Sequence, residues 1–444
     1  MAIEESAPTD VVVASSNPTP PGPAAPPAVS GPVTVFIDGD DVTGCVESGS
    51  ITRTLNRPSQ ATLRIYSDCT GEGDGCSKIK VYIGGTLFFH GFVTQISTEG
   101  QADGAIISEF TCQDPMFLWQ WRPARDGIYG ASLDPDNPGT LDIGDFSKPS
   151  FMLIGYAPQI MYEILTQSEV DAAPADGEGT LFMDISYVAG GITDVSGAPV
   201  DWPMSIMEVF ELLNSTGVLD CVMFPIDSGG KMARLEIYNG DYGYDRTSSV
   251  SLDYATGSYN VSAVRMVEDS SNICNKLWYY LGPRVKTSRD PAGDQHWKAN
   301  ITATRDGVEA MPGYAEMLAE REASRENCGV RMEIKIFDGE GDEAPTRSTA
   351  LYERLWFIEQ KLRNNPRTLV HVQPVRTSEA MMLPAGVAPV QVGDFDIGDL
   401  IAVNAGSIIR GGFSGAQRVY GYTVNFNENG ILEMGEIMTS ADQG

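Results

Sequence analysis

"VQVGDFDIGDLIAVNAGSIIRGGFSGAQRVYGYTVNFNENGILEMGEIMTS", residues 390–440, is the stretch whose reading decides the fold. Asp394 to Asp399 is acidic and broken by glycine, and it leads into Leu400, Ile401 and Val403. A glycine-rich connection, 406–415, follows; then Val419, Gly421, Thr423 and Asn425 alternate with Tyr420, Tyr422, Val424 and Phe426. An "NENG" turn at Asn427–Gly430 joins that run to Ile431, Glu433, Gly435 and Ile437. A period of two broken by a tight turn predicts strands closing a small barrel or sheet, not a catalytic loop.

The same grammar opens the ordered part of the chain. "VTVFIDGDDVTG" (33–44) reads as a strand and an aspartate–glycine turn, and "ESGSITRTLNRPSQATLRIY" (47–66) as two short strands. "KIKVYIGGTLFFHGFVTQIST" (78–98) reads as two strands joined at Gly84 and Gly85, and "AIISEFTCQD" (105–114) as another. Closely spaced strands with short turns predict an all-β, barrel-like unit, ended by Pro115 and the aromatic run Phe117, Trp119, Trp121.

Between these ends the signals are mixed. Residues 126–150 read as loop. "SFMLIGYAPQIMYEILTQSEVDAA" (150–173) reads as one or two short helices. A clearer helix starts at Met204, with Ile206, Val209, Phe210 and Leu213 at helical spacing as core, and "KMARLEIYNG" (231–240) returns to strand. Alternation through Val261–Val267 and the cluster Trp278, Tyr279, Tyr280 indicate a second β unit, and helices are expected over 312–327 and from Ser348. The expected fold is therefore mainly β with α segments: two small barrel domains with α+β segments between them. The expected divisions are a proline- and alanine-rich arm (1–31), a first barrel (32–125), an α+β segment (126–245), a β unit with helices (246–370) and closing strands (371–444). The arm, rich in proline and alanine, cannot bury enough surface to offset its ordering entropy, so it is expected to be flexible or laid along a partner.

Composition narrows the function. The chain has 444 residues, a length suited to about three domains, with 42% hydrophobic and 20% charged residues. Sixty acids against 30 lysines and arginines leave a formal charge of −30, which repels phosphates and disfavours adhesive binding to nucleic acid or anionic membrane. It does not exclude DNA passing close by. The apolar runs are too short to cross a bilayer, and no basic leader opens the sequence. Against that acidity, Arg354, Lys361, Arg363 and Arg367 form a locally basic stretch that fits either an acidic partner or a solvated helix face.

Chemistry-bearing patterns are thin. His90, His296 and His371 stand apart, which argues against a histidine metal centre. Asp134, Asp136, Asp142 and Asp145 lack the register and closing glutamate of a calcium loop. Seven cysteines are scattered; Cys69 and Cys76 fit either a disulfide across their loop or, like the rest, free buried thiols. Pairs such as Glu208 and Glu211, or Glu353 and Glu359, are unavoidable among so many acids. Cys112 and His90 make no dyad without geometry. No nucleophile elbow, zinc helix, Walker loop or dinucleotide pattern occurs, so no cofactor, metal or enzymatic activity is expected.

Several segments together resemble the baseplate hub class of minor tail proteins from long, non-contractile-tailed phages of actinobacteria. They are "DGDDVTG", "TRTLNRPSQATLRI", "VYIGGTLFFHGFVTQI", "ISEFTCQDPMFLWQWRP", "LLNSTGVLD" and the closing "GDLIAV" and "QRVYGYTVNFNENGILEMGEIMTS". The resemblance is diffuse over 33–440 and most specific at "NRPSQATLRI" with "GGTLFFHGFV". It implies a virion tail-tip protein, made in the host cytoplasm, whose barrel domains are relatives of tail-tube subunits. It further implies a homotrimeric ring that joins the six-fold tube or distal tail protein ring to three-fold tip parts. The implied partners are other copies of the chain, the tape-measure protein, and a central fibre or other minor tail proteins. DNA is implied only in transit, with no stable membrane insertion. The proline-rich arm and the Cys69–Cys76 loop depart from the pattern.

Candidate interface residues are Trp119, Trp121, Trp278, Tyr279, Arg354, Lys361 and Arg363, with 79–96, 117–121 and 419–437 as candidate seam segments. The alternative is a carbohydrate-binding or cell-wall-degrading tail component, in which the same tryptophans and Tyr279 serve as exposed platforms.

Overall fold

A computed structural model of the chain describes residues 31–66, 77–101, 104–122, 132–133, 141–142, 150–156, 158, 161–162, 164–165, 182–188, 195–201, 205–214, 219–239, 242–254, 259–271, 273–281, 284–289, 295–299, 314–337, 367–406 and 413–440. The protein is mainly β.

The N-terminal strands form as their turns dictate. β1 (Val33–Ile37) turns through Asp38 and Gly39, both at positive φ, into β2 (Asp40–Asp41). β3 (Val46–Thr54) and β4 (Gln60–Tyr66) follow, then β5 (Lys78–Ile83), β6 (Thr86–Gly100) and β7 (Ile106–Gln113). Gly84 and Gly85 link β5 to β6 at φ 58° and 80°, the pair of left-handed residues that a two-residue hairpin turn needs. Alternation sets the core: Val33, Val35 and Ile37 lie opposite Ile83, Val81 and Ile79, and all six are buried.

The decisive pairing is made by the C-terminal stretch. β22 (Leu400–Gly406), β23 (Phe413–Asn427) and β24 (Leu432–Ser440) are strands as expected, and Gly430 at φ 68° closes the turn between the last two. β23 runs antiparallel to β24 on one side and to β3 on the other, from Gly421 opposite Thr54 to Asn427 opposite Ser48. One sheet therefore runs β16-β21-β24-β23-β3-β4-β7-β6-β5-β1-β2, where β16 is Val261–Asp269 and β21 is Arg367–Pro374; β15 (Ser251–Asp253) joins through β22. The N- and C-terminal strand sets expected as two barrels are thus sewn edge to edge, and among the described residues neither closes on itself.

Simple alternation along β23 fails where the register shifts. Between Val419 and Gly421 one extra residue enters β23 relative to β24, so Val419 is buried on one phase while Tyr422, Val424 and Phe426 are buried on the other.

A second core sits beside the sheet. β11 (Met183–Val188), β13 (Leu219–Ser228) and β14 (Lys231–Asn239) form a three-stranded sheet, covered by helix α1 (Ile206–Asn214). α1 buries Ile206, Val209, Phe210 and Leu213, the expected stripe. It starts on a capping box not anticipated from the sequence: Glu208 N–H donates to Ser205 Oγ at 3.2 Å, and Ser205 N–H donates to Glu208 Oε2 at 2.6 Å. Trp119 packs edge-on against Phe210 at 5.5 Å between centroids. A fully buried side chain of this size contributes roughly 3 kcal/mol.

Smaller ladders complete the structure. β8 (Ser132–Leu133) pairs β9 (Leu141–Asp142) within the stretch expected to be loop. β10 (Ser150–Tyr156) pairs β12 (Val195–Asp201), which corrects the expectation that residues 150–156 are helical. Those residues satisfy their backbone by pairing with a distant strand, which short-range periodicity does not reveal. β17 (Lys276–Leu281) pairs β20 (Met332–Phe337), and β18 (Arg284–Arg289) pairs β19 (Gln295–Ala299). Helix α2 (Tyr314–Cys328) matches the expected 312–327 helix, and Arg325 near its end donates to the Asn275 carbonyl at 2.8 and 3.1 Å.

Cys45 is disulfide-bonded, contrary to the expectation of free thiols, whereas Cys112, Cys221 and Cys328 are free. Residues 1–30 of the expected 1–31 arm, the Cys69–Cys76 pair, Asp134, Asp136, Asp145 and the helix expected from Ser348 lie outside the described residues.

Candidate assembly surfaces and the buried joint

β13 is buried on both faces, and its alternation divides two jobs. Leu219, Cys221 and Met223 enter the second core, while Val222 joins the first. Asp220 shares the phase of Val222 and reaches the large sheet, where it pairs with Arg418 of β23. Both side chains are almost wholly enclosed. Arg418 also donates to the Tyr242 carbonyl at 2.8 Å and to the Gly398 carbonyl at 3.3 Å. Asp220 accepts from Asn56 Nδ2 and from the Tyr242 amide, each at 2.7 Å, and Asn56 Oδ1 accepts the Cys221 amide at 2.8 Å. Both carboxylate oxygens of Asp220, and Nε and Nη2 of Arg418, are thereby engaged, as a buried ion pair requires.

The acidic stretch of the sequence supplies two further joints. Asp396 receives Arg53 Nη1 at 3.0 Å and the Tyr422 hydroxyl at 3.1 Å. Burial, then the Asp396 carboxylate, holds the Tyr422 phenol well above its ordinary pKa. Asp399 receives Arg246 Nε at 2.8 Å, the Tyr244 amide at 2.8 Å and the Asp396 amide at 3.0 Å. Gly243 and Gly398 let two backbones touch here. A Cβ on Gly243, at φ 114°, would lie 2.1 Å from the Gly398 oxygen.

Further along the same joint, His90 Nδ1 lies 2.7 Å from the Ile226 carbonyl, and Lys80 reaches Asp227 at 2.7 Å. Asp114 accepts from the Ser59 amide at 2.8 Å and the Met116 amide at 3.0 Å, which caps the 3-10 turn Pro115–Gln120. Burial pushes the Asp114 carboxyl up to about 6, against the lowering pull of those donors and of Arg53. It pushes His90 below its ordinary value. This polar seam is what the sequence did not disclose as a unit, because its members come from distant strands. Its visible signal was a run of aspartates within otherwise apolar β sequence.

The candidate interface residues separate on inspection. Trp119 is fully buried, so it serves neither as an exposed platform nor as subunit contact; the second core needs its bulk against Phe210. Trp121, two residues on, is 78% exposed. Trp278 and Tyr279 lie on β17, but their side chains fall outside the described residues, as do Arg354, Lys361 and Arg363. Of the seam segments, the β23 part of 419–437 lies inside the sheet with a strand on each side and buries Val419, Tyr422, Val424 and Phe426. Residues 79–83 alternate inward with β1.

What is exposed lies elsewhere. The last seven residues of β6, Thr94–Gly100, are exposed, and with the start of β7 they make a hairpin carrying Ile96 and Ile106. Met381 and Met382 are exposed on the 3-10 turn Thr377–Met382, and Ile431 on the β23–β24 turn. Among the described residues β16 pairs only with β21 and β2 only with β1, so both sheet ends present a strand edge.

No protein-family model matches the chain, and comparison with curated proteins gives no match. Among solved structures it is similar to the 43 kDa tail protein of prophage MuSo2 from Shewanella oneidensis, with 13% identity, 91% of this chain and 97% of that chain covered, and a TM-score of 0.47. It is similar to prophage tail protein gp18 from Listeria monocytogenes, with 13% identity, 93% and 95% covered, and a TM-score of 0.45. It is also similar to a tail protein from Neisseria meningitidis, with 10% identity, 92% and 96% covered, and a TM-score of 0.46.

Proposed function

We propose that this chain is a structural tail-tip protein of a long, non-contractile-tailed phage, a baseplate hub whose copies form a homotrimeric ring about the tail axis. In this reading the ring joins the six-fold tail tube or distal tail ring to three-fold tip or fibre components and encloses the channel used in genome ejection. The observation that carries it is the β3–β23 ladder. It pairs residues 52–54, the start of the resembling segment "TRTLNRPSQATLRI", with residues 421–423 of the resembling segment "QRVYGYTVNFNENGILEMGEIMTS" in one sheet. Three arginine–aspartate joints, one buried and two half-buried, brace that sheet, which suits a part that transmits load more than one that turns over substrate. A formal charge of −30 suits a conduit, since few basic side chains are there to neutralise phosphates and hold DNA by counterion release. The exposed Trp121 and the Ile96–Ile106 hairpin are the surfaces we assign to neighbouring subunits or minor tail proteins.

The test is a cryo-EM reconstruction of the tail tip together with the mass of the isolated protein in solution. Three copies on the axis are expected. Six copies, or a position on a side fibre, would overturn the hub assignment.

A further inference from the structure

A small pocket opens between β3, β6 and the β13–β14 hairpin, lined in part by Arg53, Ser59, His90, Asp114, Met223 and Ala233. Two polar atoms of its lining residues are shut off from solvent and have no hydrogen-bond partner among the described residues: Arg53 Nη2 and His90 Nε2. Both residues are buried, at 9% and 4% exposed. Their chemistry is complementary. A guanidinium nitrogen only donates. The Ile226 carbonyl bonded to His90 Nδ1 only accepts, so Nδ1 carries the ring proton and Nε2 of the neutral ring offers a lone pair. One donor and one acceptor, not bonded to each other, thus line the same pocket.

The charges around the pocket select the occupant. Arg53 excludes a cation. Asp114 also lines the pocket and disfavours an anion. Its carboxylate has about four lone-pair sites; the Ser59 amide, the Ser59 hydroxyl and the Met116 amide take three and leave one. A neutral molecule that accepts once and donates twice satisfies all three groups. The pocket has about 10 Å³ of room, the space of a single water.

We infer that this pocket is a binding site for one structural water, which accepts from Arg53 Nη2 and donates to His90 Nε2 and to the Asp114 carboxylate. The water links β3, β6 and the end of β7 beside the hairpin that carries Ile226 and Asp227. It completes the polar joint between the two cores. This site is independent of the assembly reading, since it lies within one subunit.

The test is a crystal structure of the full chain at a resolution that shows ordered waters, with nitrogen-15 NMR of the His90 ring. A density peak within hydrogen-bond distance of both Arg53 Nη2 and His90 Nε2, with the proton on Nδ1, is expected. An empty pocket, a direct Arg53–His90 contact, or a peak with the scattering of chloride would overturn the inference. So would an Nε2–H tautomer or an imidazolium at neutral pH.

Discussion

Asp220 on β13 and Arg418 on β23 form a buried ion pair across 198 residues of sequence, and through it the three-stranded sheet is fastened to the large one. Arg418 could not be left alone in that setting, since removing one partner of a buried pair strands the other charge in low dielectric. Asp220→Asn is expected to destabilise the fold by about 3–5 kcal/mol, while replacing both residues with apolar ones of similar volume recovers most of the loss. Urea unfolding of both single variants and the double variant measures this. Additive losses would show that the two side chains do not act as a pair.

The two neighbouring tryptophans have opposite roles. Trp119 fills the second core, so Trp119→Ala should cost about 3–5 kcal/mol. Trp121 is mostly in solvent, and Trp121→Ala should change stability by no more than about 0.5 kcal/mol. If Trp121 serves assembly, its loss should instead lower incorporation into tails, scored by mass spectrometry of purified particles. Normal incorporation would remove it from the interface.

Burial shifts His90 down and Asp114 up, with opposite effects on how stability depends on pH. His90 has a depressed folded pKa, so its contribution is complete above its ordinary value of 6.5 and is lost as pH falls through the folded value. Asp114, raised to about 6 from 3.8, holds a proton in the folded state that the unfolded chain has released, so acidification across that window stabilises. Relative to Asp114→Asn, the wild type should gain stability as pH drops from 7 toward 4, by roughly 1–3 kcal/mol. Relative to His90→Phe it should lose stability over the same drop. Denaturant midpoints across pH settle both signs, and a flat difference for either variant would contradict its assignment.

The strands were legible because their signals are local. Gly84–Gly85 and Asp38–Gly39 mark their turns, and the buried phases of β1 and β5 follow a strict period of two. The helix at Ile206 was legible for the same reason. Residues 150–156 were not, because their strand character comes from pairing with 195–201 and not from their own pattern. The expectation of two barrels missed the β3–β23 ladder, since nothing in either strand states which distant edge it will join. The buried joint was hidden in a similar way. Asp396 and Asp399 read only as part of an acidic, glycine-broken stretch until Arg53 and Arg246 arrive from elsewhere in the chain. Trp119 and Trp121 are the same residue type two positions apart, and only the 3-10 turn between them decides which one is buried.

Gly243 provides the sharpest test of how that joint is built. It sits at φ 114°, and an added Cβ would meet the Gly398 oxygen at 2.1 Å and the Asp399 nitrogen at 2.6 Å, both backbone atoms that cannot swing aside. Gly243→Ala therefore combines an unfavourable backbone angle with a direct clash, and should cost about 2 kcal/mol or more. The damage should be local first. The 242–246 segment is held by the Leu400 amide to the Tyr244 carbonyl at 2.9 Å, and by the Arg246 amide to the Leu400 carbonyl at 2.8 Å. Displacing it would also separate Arg246 from Asp399, leaving that carboxylate buried without its cation. Native-state hydrogen exchange of the variant should show the amides of Tyr244, Arg246 and Leu400 losing protection, while those of β4 and β7 keep theirs. Unchanged protection at Leu400 would mean that the strand accommodates the methyl group, and that the close approach of the two glycines is not what holds the segment in place.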